Sequence, residues 1–159
     1  MKAGTTLAHV FALAKRFREN DQETPLILMG YANPPHSMGF GAFAAALADA
    51  GIDGTIIVDL PPEEDLPLRE AYAAHELSVI RLATPTTHEA RMKTVADGAS
   101  GFLYFVAVTG VTGAGSADPQ AIKANVDMAR RVSGLPICVG FGVRNGACLL
   151  YTSPSPRDS

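Results

Sequence analysis

The chain has 159 residues, the size of one ordinary domain, and its 13 Lys and Arg against 16 Asp and Glu give a formal net charge of -3. That balance argues against a nucleic-acid binder, which carries a basic patch. Hydrophobic residues at 47% and charged residues at 18% argue against bulk disorder, and two cysteines, Cys138 and Cys148, are too few for a disulfide framework and stand in no zinc spacing.

The first twenty residues lack the continuous apolar core of a secretory signal, so a cytoplasmic protein is expected. They read as a helix with Thr6 as N-cap and with Leu7, Val10, Phe11, Ala14 and Phe17 on one face. Pro25-Leu-Ile-Leu-Met29 is uniformly apolar, the pattern of a strand buried on both faces. Residues 33–37, with two prolines, are expected to form a loop into a second helix. Phe40, Phe43, Leu47 and Ala50 make the buried stripe of that helix, and Gly51 stops it. Thr55-Ile-Ile-Val58 is a second strand ending at Asp59. A third helix over 63–74 should carry Glu63, Glu64 and Asp65 at its positive end.

The unit then recurs. Ser78-Val-Ile-Arg-Leu82 is a third strand, and Thr86 with Glu89 three residues later suggests a capping box opening a helix that runs to about Ala96. Phe102-Leu-Tyr-Phe-Val106 is a fourth strand. Asp118-Pro119 opens a helix with Ile122, Val126, Ala129 and Val132 inward, Gly134 ends it, and Leu135-Pro-Ile-Cys-Val139 is the last strand. Strand starts at 26, 55, 78, 102 and 135 have the spacing of βαβ units, which implies an α/β fold with a parallel sheet and right-handed crossovers. Two architectures fit: an open doubly wound sheet, or part of a (β/α) barrel. Residues 98–117 carry no charge, but only 102–108 are strongly apolar. A buried strand and a glycine-rich loop account for that stretch better than a membrane span.

In both architectures ligands bind at the carboxyl ends of the strands. Two of these ends, Thr109-Gly-Val-Thr-Gly-Ala-Gly115 and Gly140-Phe-Gly-Val143, are rich in glycine. Glycine there lets backbone N–H groups approach a phosphate, or simply serves a tight turn. Residues 111–116 have the small, polar composition of a mobile lid. No Walker or G-x-G-x-x-G fingerprint is present. Asp59 could act on a substrate, orient a loop, or accept backbone hydrogen bonds in its turn. Tyr31 and Tyr104 could line a pocket or simply pack. His9, His36, His75 and His88 read as surface residues, and Cys138, inside a strand, as an inert core thiol.

Taken together, Met29-Gly-Tyr-Ala-Asn33, Val58-Asp-Leu-Pro-Pro-Glu-Glu64, Leu82-Ala-Thr-Pro-Thr86, Val111-Thr-Gly113 and Gly140-Phe-Gly-Val143 resemble the tryptophan synthase alpha chain family in order and spacing. The resemblance runs from Lys2 to Arg144. It implies a partial (β/α)8 TIM barrel with about five of the eight parallel strands. The activity implied is retro-aldol cleavage of indole-3-glycerol phosphate to indole and glyceraldehyde 3-phosphate, in tryptophan biosynthesis. The partner implied is a beta chain, which carries pyridoxal phosphate. No cofactor or metal is implied on this chain, and no nucleic acid or membrane.

By position, Met29, Tyr31, Leu82, Tyr104 and Phe141 resemble residues lining the indole pocket. Gly113 and Gly142 resemble phosphate-cradling glycines, Thr112 a lid threonine, and Asp59 a strand-end aspartate facing the beta partner. The family's two catalytic carboxylates precede the first helix of this chain and have no counterpart in it, so no catalytic residue is expected and the chain is expected to be an inactive fragment. Residues 1–144 are expected to form the barrel-type domain. Residues 145–159, without a helical period, are expected to be a non-native or disordered tail. Two other functions fit the same motifs: a non-catalytic scaffold docking on the beta chain through residues 33–37 and 59–64, and another phosphate-binding barrel enzyme.

Overall fold

The structure, a computed structural model, describes residues 6–106 and 119–140. Its elements alternate as expected: α1 (Leu7–Arg18), β1 (Ile27–Gly30), α2 (Asn33–Met38), α3 (Phe40–Asp49), β2 (Gly54–Ile57), α4 (Leu66–Ala73), β3 (Ser78–Ala83), α5 (Glu89–Ala96), β4 (Leu103–Val106), α6 (Pro119–Ser133) and β5 (Ile137–Gly140). They fall into two compact units, Met1–Val79 and Ile80–Ser159.

In the first unit β1 and β2 pair in parallel, with Leu28 opposite Thr55 and Met29 opposite Ile56. Successive side chains alternate between faces. Leu26, Leu28 and Ile57 therefore pack with Phe43, Leu47, Leu68 and Tyr72 from α3 and α4, while Met29 faces the other way. Thr55 turns its hydroxyl into this core and meets the Tyr72 hydroxyl at 2.9 Å, so each satisfies the other away from water. Burial pushes the Tyr72 phenol up to about 12.

Thr6 caps α1 as expected, with His9 completing the box from its side chain. At the C-terminal end of α1, Arg18 gathers the chain. Its Nε donates to the Gly51 carbonyl at 2.7 Å, its Nη1 to the Asp21 and Thr24 carbonyls, and its Nη2 to Asp53 at 2.6 Å. Gly51 adopts φ +73° under the Arg18 stem, where a Cβ would meet the arginine Cγ at 2.7 Å. Its place as the stop of α3 thus has two reasons, the turn and the arginine.

Three expectations in this unit need correction. Residues 33–37 are a short helix, α2, because Pro34 and Pro35 fall at its first positions, where no N–H is required. The third helix begins at Leu66, after a turn in which the Glu64 N–H donates to the Pro61 carbonyl. Asp65 at its head is buried and paired with Arg69 at 2.8 Å. Phe17 is exposed at the end of α1 and is not part of the stripe that packs.

In the second unit β4 pairs in parallel with β3 on one side and β5 on the other. Ala83, Leu103, Phe105 and Ile137 pack against Met92 and Val95 of α5 and Val126 and Ala129 of α6. Both helices lie on that face, and among the described residues of this unit none covers the other. Coverage of a single face is the pattern of a barrel wall, whereas a doubly wound sheet is covered on both faces. Arg81 of β3 is buried beneath the end of α5, where its Nη1 donates to the carbonyls of Thr94 (3.2 Å), Val95 (2.9 Å) and Asp97. Gly134, at φ +68°, stops α6 as expected.

Here too there are corrections. α5 is capped by His88, whose Nδ1 accepts the Arg91 N–H at 3.2 Å. Thr86 instead turns its hydroxyl to Thr84. Cys138 is exposed rather than part of the core, since its neighbours Ile137 and Val139 take the helix-facing parity of β5. The expected cap Asp118 and residues 145–159 lie outside the described residues.

Candidate functional site

The carboxyl ends of parallel strands are where such folds place ligands. In the first unit β1 runs out through Met29, Gly30 and Tyr31, and β2 through Val58 and Asp59. Three large apolar side chains are exposed there: Met29 at 46%, Tyr31 at 64% and Val58 at 42%. Burial of such groups is normally favourable by about 25 cal/mol per Å2, so a cluster of them at strand ends suits an apolar ligand.

The β1–β2 ladder ends in an unusual way. The Val58 N–H donates to the Gly30 carbonyl at 2.9 Å. The next donor on that edge of β1, the Ala32 N–H, goes instead to Asp59 Oδ1 at 2.7 Å. A side chain thus closes the ladder where the backbones diverge into α2 and the 59–64 segment.

In the second unit Leu82, Tyr104 and Cys138 stand opposite one another on β3, β4 and β5. They form one row on the face away from the helices. The Tyr104 ring lies over the Cα of Gly140, where any Cβ would collide with it. Partial burial raises the Cys138 thiol above its ordinary value. Just beyond β3 the Thr87 hydroxyl accepts the Thr84 N–H at 3.0 Å, and the Thr84 and Thr86 hydroxyls lie 2.9 Å apart.

Of the expected site residues, the first unit holds Met29, Tyr31 and Asp59, and the second brings Leu82 and Tyr104 into register. Thr112, Gly113, Phe141 and Gly142, and the lid over 111–116, lie outside the described residues. Sequence reasoning missed Cys138 and Gly140 as neighbours of Tyr104. Strand parity could have found them, since both share the parity opposite to Ile137 and Val139.

The four histidines are exposed as expected; His88 caps α5, and His9 completes the capping box that Thr6 opens on α1. Among the described residues no group of three or more His, Cys, Asp or Glu side chains could hold a metal ion. Among them, too, no helix is long and apolar enough to cross a membrane. At the opposite end of the first unit, a groove of about 520 Å3 is lined by Lys15, Arg18, Asp49 and Asp53. Two ion pairs, Lys15–Asp49 and Arg18–Asp53, cross it, in keeping with an end of a barrel that serves stability.

The family model described as tryptophan synthase alpha chain matches residues 1–149. The chain belongs to the tryptophan synthase alpha chain family. It is 52% identical over 144 residues to the tryptophan synthase alpha chain of Caulobacter vibrioides (strain NA1000 / CB15N), covering 91% of this chain and 52% of that protein. It is 54% identical over 141 residues to the one from Phenylobacterium zucineum, covering 89% and 51%. It therefore spans about half the length of the curated relatives it matches.

Among solved structures, the tryptophan synthase a2b2 complex from the hyperthermophile Pyrococcus furiosus superposes with a TM-score of 0.84 at 32% identity, covering 92% of this chain and 59% of that one. The tryptophan synthase subunit alpha of Legionella pneumophila does so at 0.78 and 37% identity, covering 89% and 52%. For a tryptophan synthase alpha family member the architecture is decided: an α/β fold whose five parallel strands are part of a (β/α)8 barrel.

Proposed function

We propose that this chain serves tryptophan biosynthesis, in the cytoplasm, as the alpha-type component of a tryptophan synthase. The reaction is that of a lyase, cleaving indole-3-glycerol phosphate to indole and glyceraldehyde 3-phosphate, and the partner is a beta chain. The observation that carries this reading is the chemistry of the strand ends in a member of this family. Taken separately, the strand ends of the first unit carry Met29 and Tyr31 and those of the second carry Leu82 and Tyr104, apolar and aromatic side chains of the kind that suits an indole ring. Thr112, Gly113, Phe141 and Gly142 complete the reading by resemblance, with the glycines serving the phosphate and Phe141 the ring. The barrel-type domain is taken as residues 1–144.

Cleavage needs a proton delivered to the indole ring as the bond to the side chain breaks, and a proton removed from the side-chain hydroxyl. Two acids in different environments suit that division. In the second unit the row away from the helices holds an aliphatic group, a phenol and a thiol, at Leu82, Tyr104 and Cys138. In the first unit the carboxylate at the strand ends, Asp59, is engaged by the Ala32 N–H. By resemblance, the two acids that would divide this work have no counterpart in the chain, so the 159-residue chain on its own is expected not to cleave the substrate. Docking on a beta chain is assigned to α2 and residues 59–64, the two segments that Asp59 joins.

Two measurements on the full 159-residue chain test this. Incubated with indole-3-glycerol phosphate, it should release no indole, and measurable release overturns the inactive reading. Titrated against a beta chain in a calorimeter, it should give a saturable heat; a flat titration removes the docking role.

A further inference from the structure

We propose that Asp59 is a positioning residue, which sets the Tyr31–Ala32 turn and the head of α2 through one hydrogen bond and so organises the docking surface from within. The inference rests on the docking role proposed above, but its physical core is independent of it.

A parallel ladder offers a donor at every second residue of a strand. On the β2-facing edge of β1 these fall at Gly30 and Ala32. Past Gly30 the chain must leave the sheet to enter α2, so the Ala32 N–H loses its backbone acceptor. Ala32 itself is buried, and an unmet buried donor is costly. The Asp59 carboxylate meets it at 2.7 Å across 27 residues of sequence.

The head of α2 has few other donors, because Pro34 and Pro35 have none and the Ala32 side chain cannot cap. One carboxylate thus fixes the entry of a helix that has no cap of its own. The consequence reaches both neighbours of Ala32. Tyr31 on one side is a strand-end aromatic, and Asn33 on the other begins α2. Losing the bond frees the turn between them and lets α2 part from the 59–64 segment.

Resemblance alone gives Asp59 a different role, that of a charge presented to the partner. The two roles separate by substitution. Asp59→Asn keeps an acceptor oxygen and removes the charge, whereas Asp59→Ala removes both.

The first test needs no partner and uses amide exchange and the Ala32 amide proton shift in the full chain. Asp59→Ala should speed exchange at Ala32 about tenfold or more, the scale of one charge-assisted bond, while Asp59→Asn retains most of the protection. Should Asp59→Ala fail to fold, the Asp59→Asn chain still decides, because a neutral acceptor must move the Ala32 proton upfield. An unmoved Ala32 amide overturns the bond.

The second test is affinity for a beta chain. It should fall about tenfold in Asp59→Ala and stay within about twofold in Asp59→Asn. Equal losses in both variants overturn positioning in favour of a direct charge contact. Failure of the unsubstituted chain to bind removes the docking role while leaving the Ala32 measurement to stand.

Discussion

Tyr104 and Gly140 occupy adjacent strands, and the tyrosine ring lies where a side chain at position 140 would begin. The phenol is held between the row it shares with Leu82 and Cys138 and the bare backbone of β5. Glycine at position 140 answers no demand for positive φ; it is required by the space the ring takes. Gly140→Ala should therefore destabilise the chain by about 1–3 kcal/mol, the usual cost of overpacking. Tyr104→Ala in the same chain should return part of that loss, because the two substitutions act on one contact. Urea unfolding of the four chains of this cycle measures the coupling, and strictly additive effects would separate the two residues.

Cys138 lies beside Tyr104 on that row, exposed yet with a thiol whose value is raised by the desolvation it does feel. A raised thiol is less ionised at neutral pH, and the thiolate is the nucleophile. Alkylation of Cys138 by iodoacetamide at pH 7 should therefore run slower than that of a free cysteine, despite its exposure. Peptide mapping gives the rate at this position. A rate above that of the free amino acid would refute the argument.

The burial of Tyr72 gives the chain an alkaline limit, against which its hydrogen bond with Thr55 works in part. Burial pushes the Tyr72 phenol up to about 12 in the folded chain, against about 10 for a free tyrosine. The folded state thus holds this proton more tightly than the unfolded state. The contribution is complete below about pH 10 and is lost as pH rises to about 12, amounting to about 3 kcal/mol over that window. Tyr72→Phe should flatten this part of the pH–stability profile. At neutral pH it should cost about 1–2 kcal/mol, because the buried Thr55 hydroxyl loses its partner. Chemical denaturation of both chains from pH 8 to 12 checks both statements.

Period and punctuation carried much of this fold in the sequence. Uniformly apolar runs marked the strands, Gly51 and Gly134 marked helix ends, and the β1 and β4 ends were placed close enough to single out Met29, Tyr31 and Tyr104. What escaped the sequence depended on long-range partners. The head of α2 depends on Asp59, 27 residues beyond Ala32. His88 caps α5, a role for which Thr86 has the stronger local signal, and His9 takes the third position of the α1 capping box, where Glu or Gln is usual. Cys138 was misplaced because an apolar strand hides its parity until one face meets helices and the other does not.

Arg81 is the least expected core residue, a cation on a central strand. Its position is explained by the carbonyls that end α5, since the last turn of a helix leaves C=O groups without intrahelical donors. The guanidinium supplies donors to Thr94, Val95 and Asp97, and its charge suits the negative end of the helix. Arg81→Met retains the stem but strands those carbonyls, and should lower stability by about 2–4 kcal/mol. Arg81→Lys should recover only part of the loss, because all three carbonyls are met by one nitrogen, Nη1, and the lysine ammonium ends one bond short of that place. Thermal melts give the order, and hydrogen exchange localises the loss: amides of α5 should open before those of α6. Uniform loosening across both helices would mean that the arginine supports the whole layer and not the end of α5.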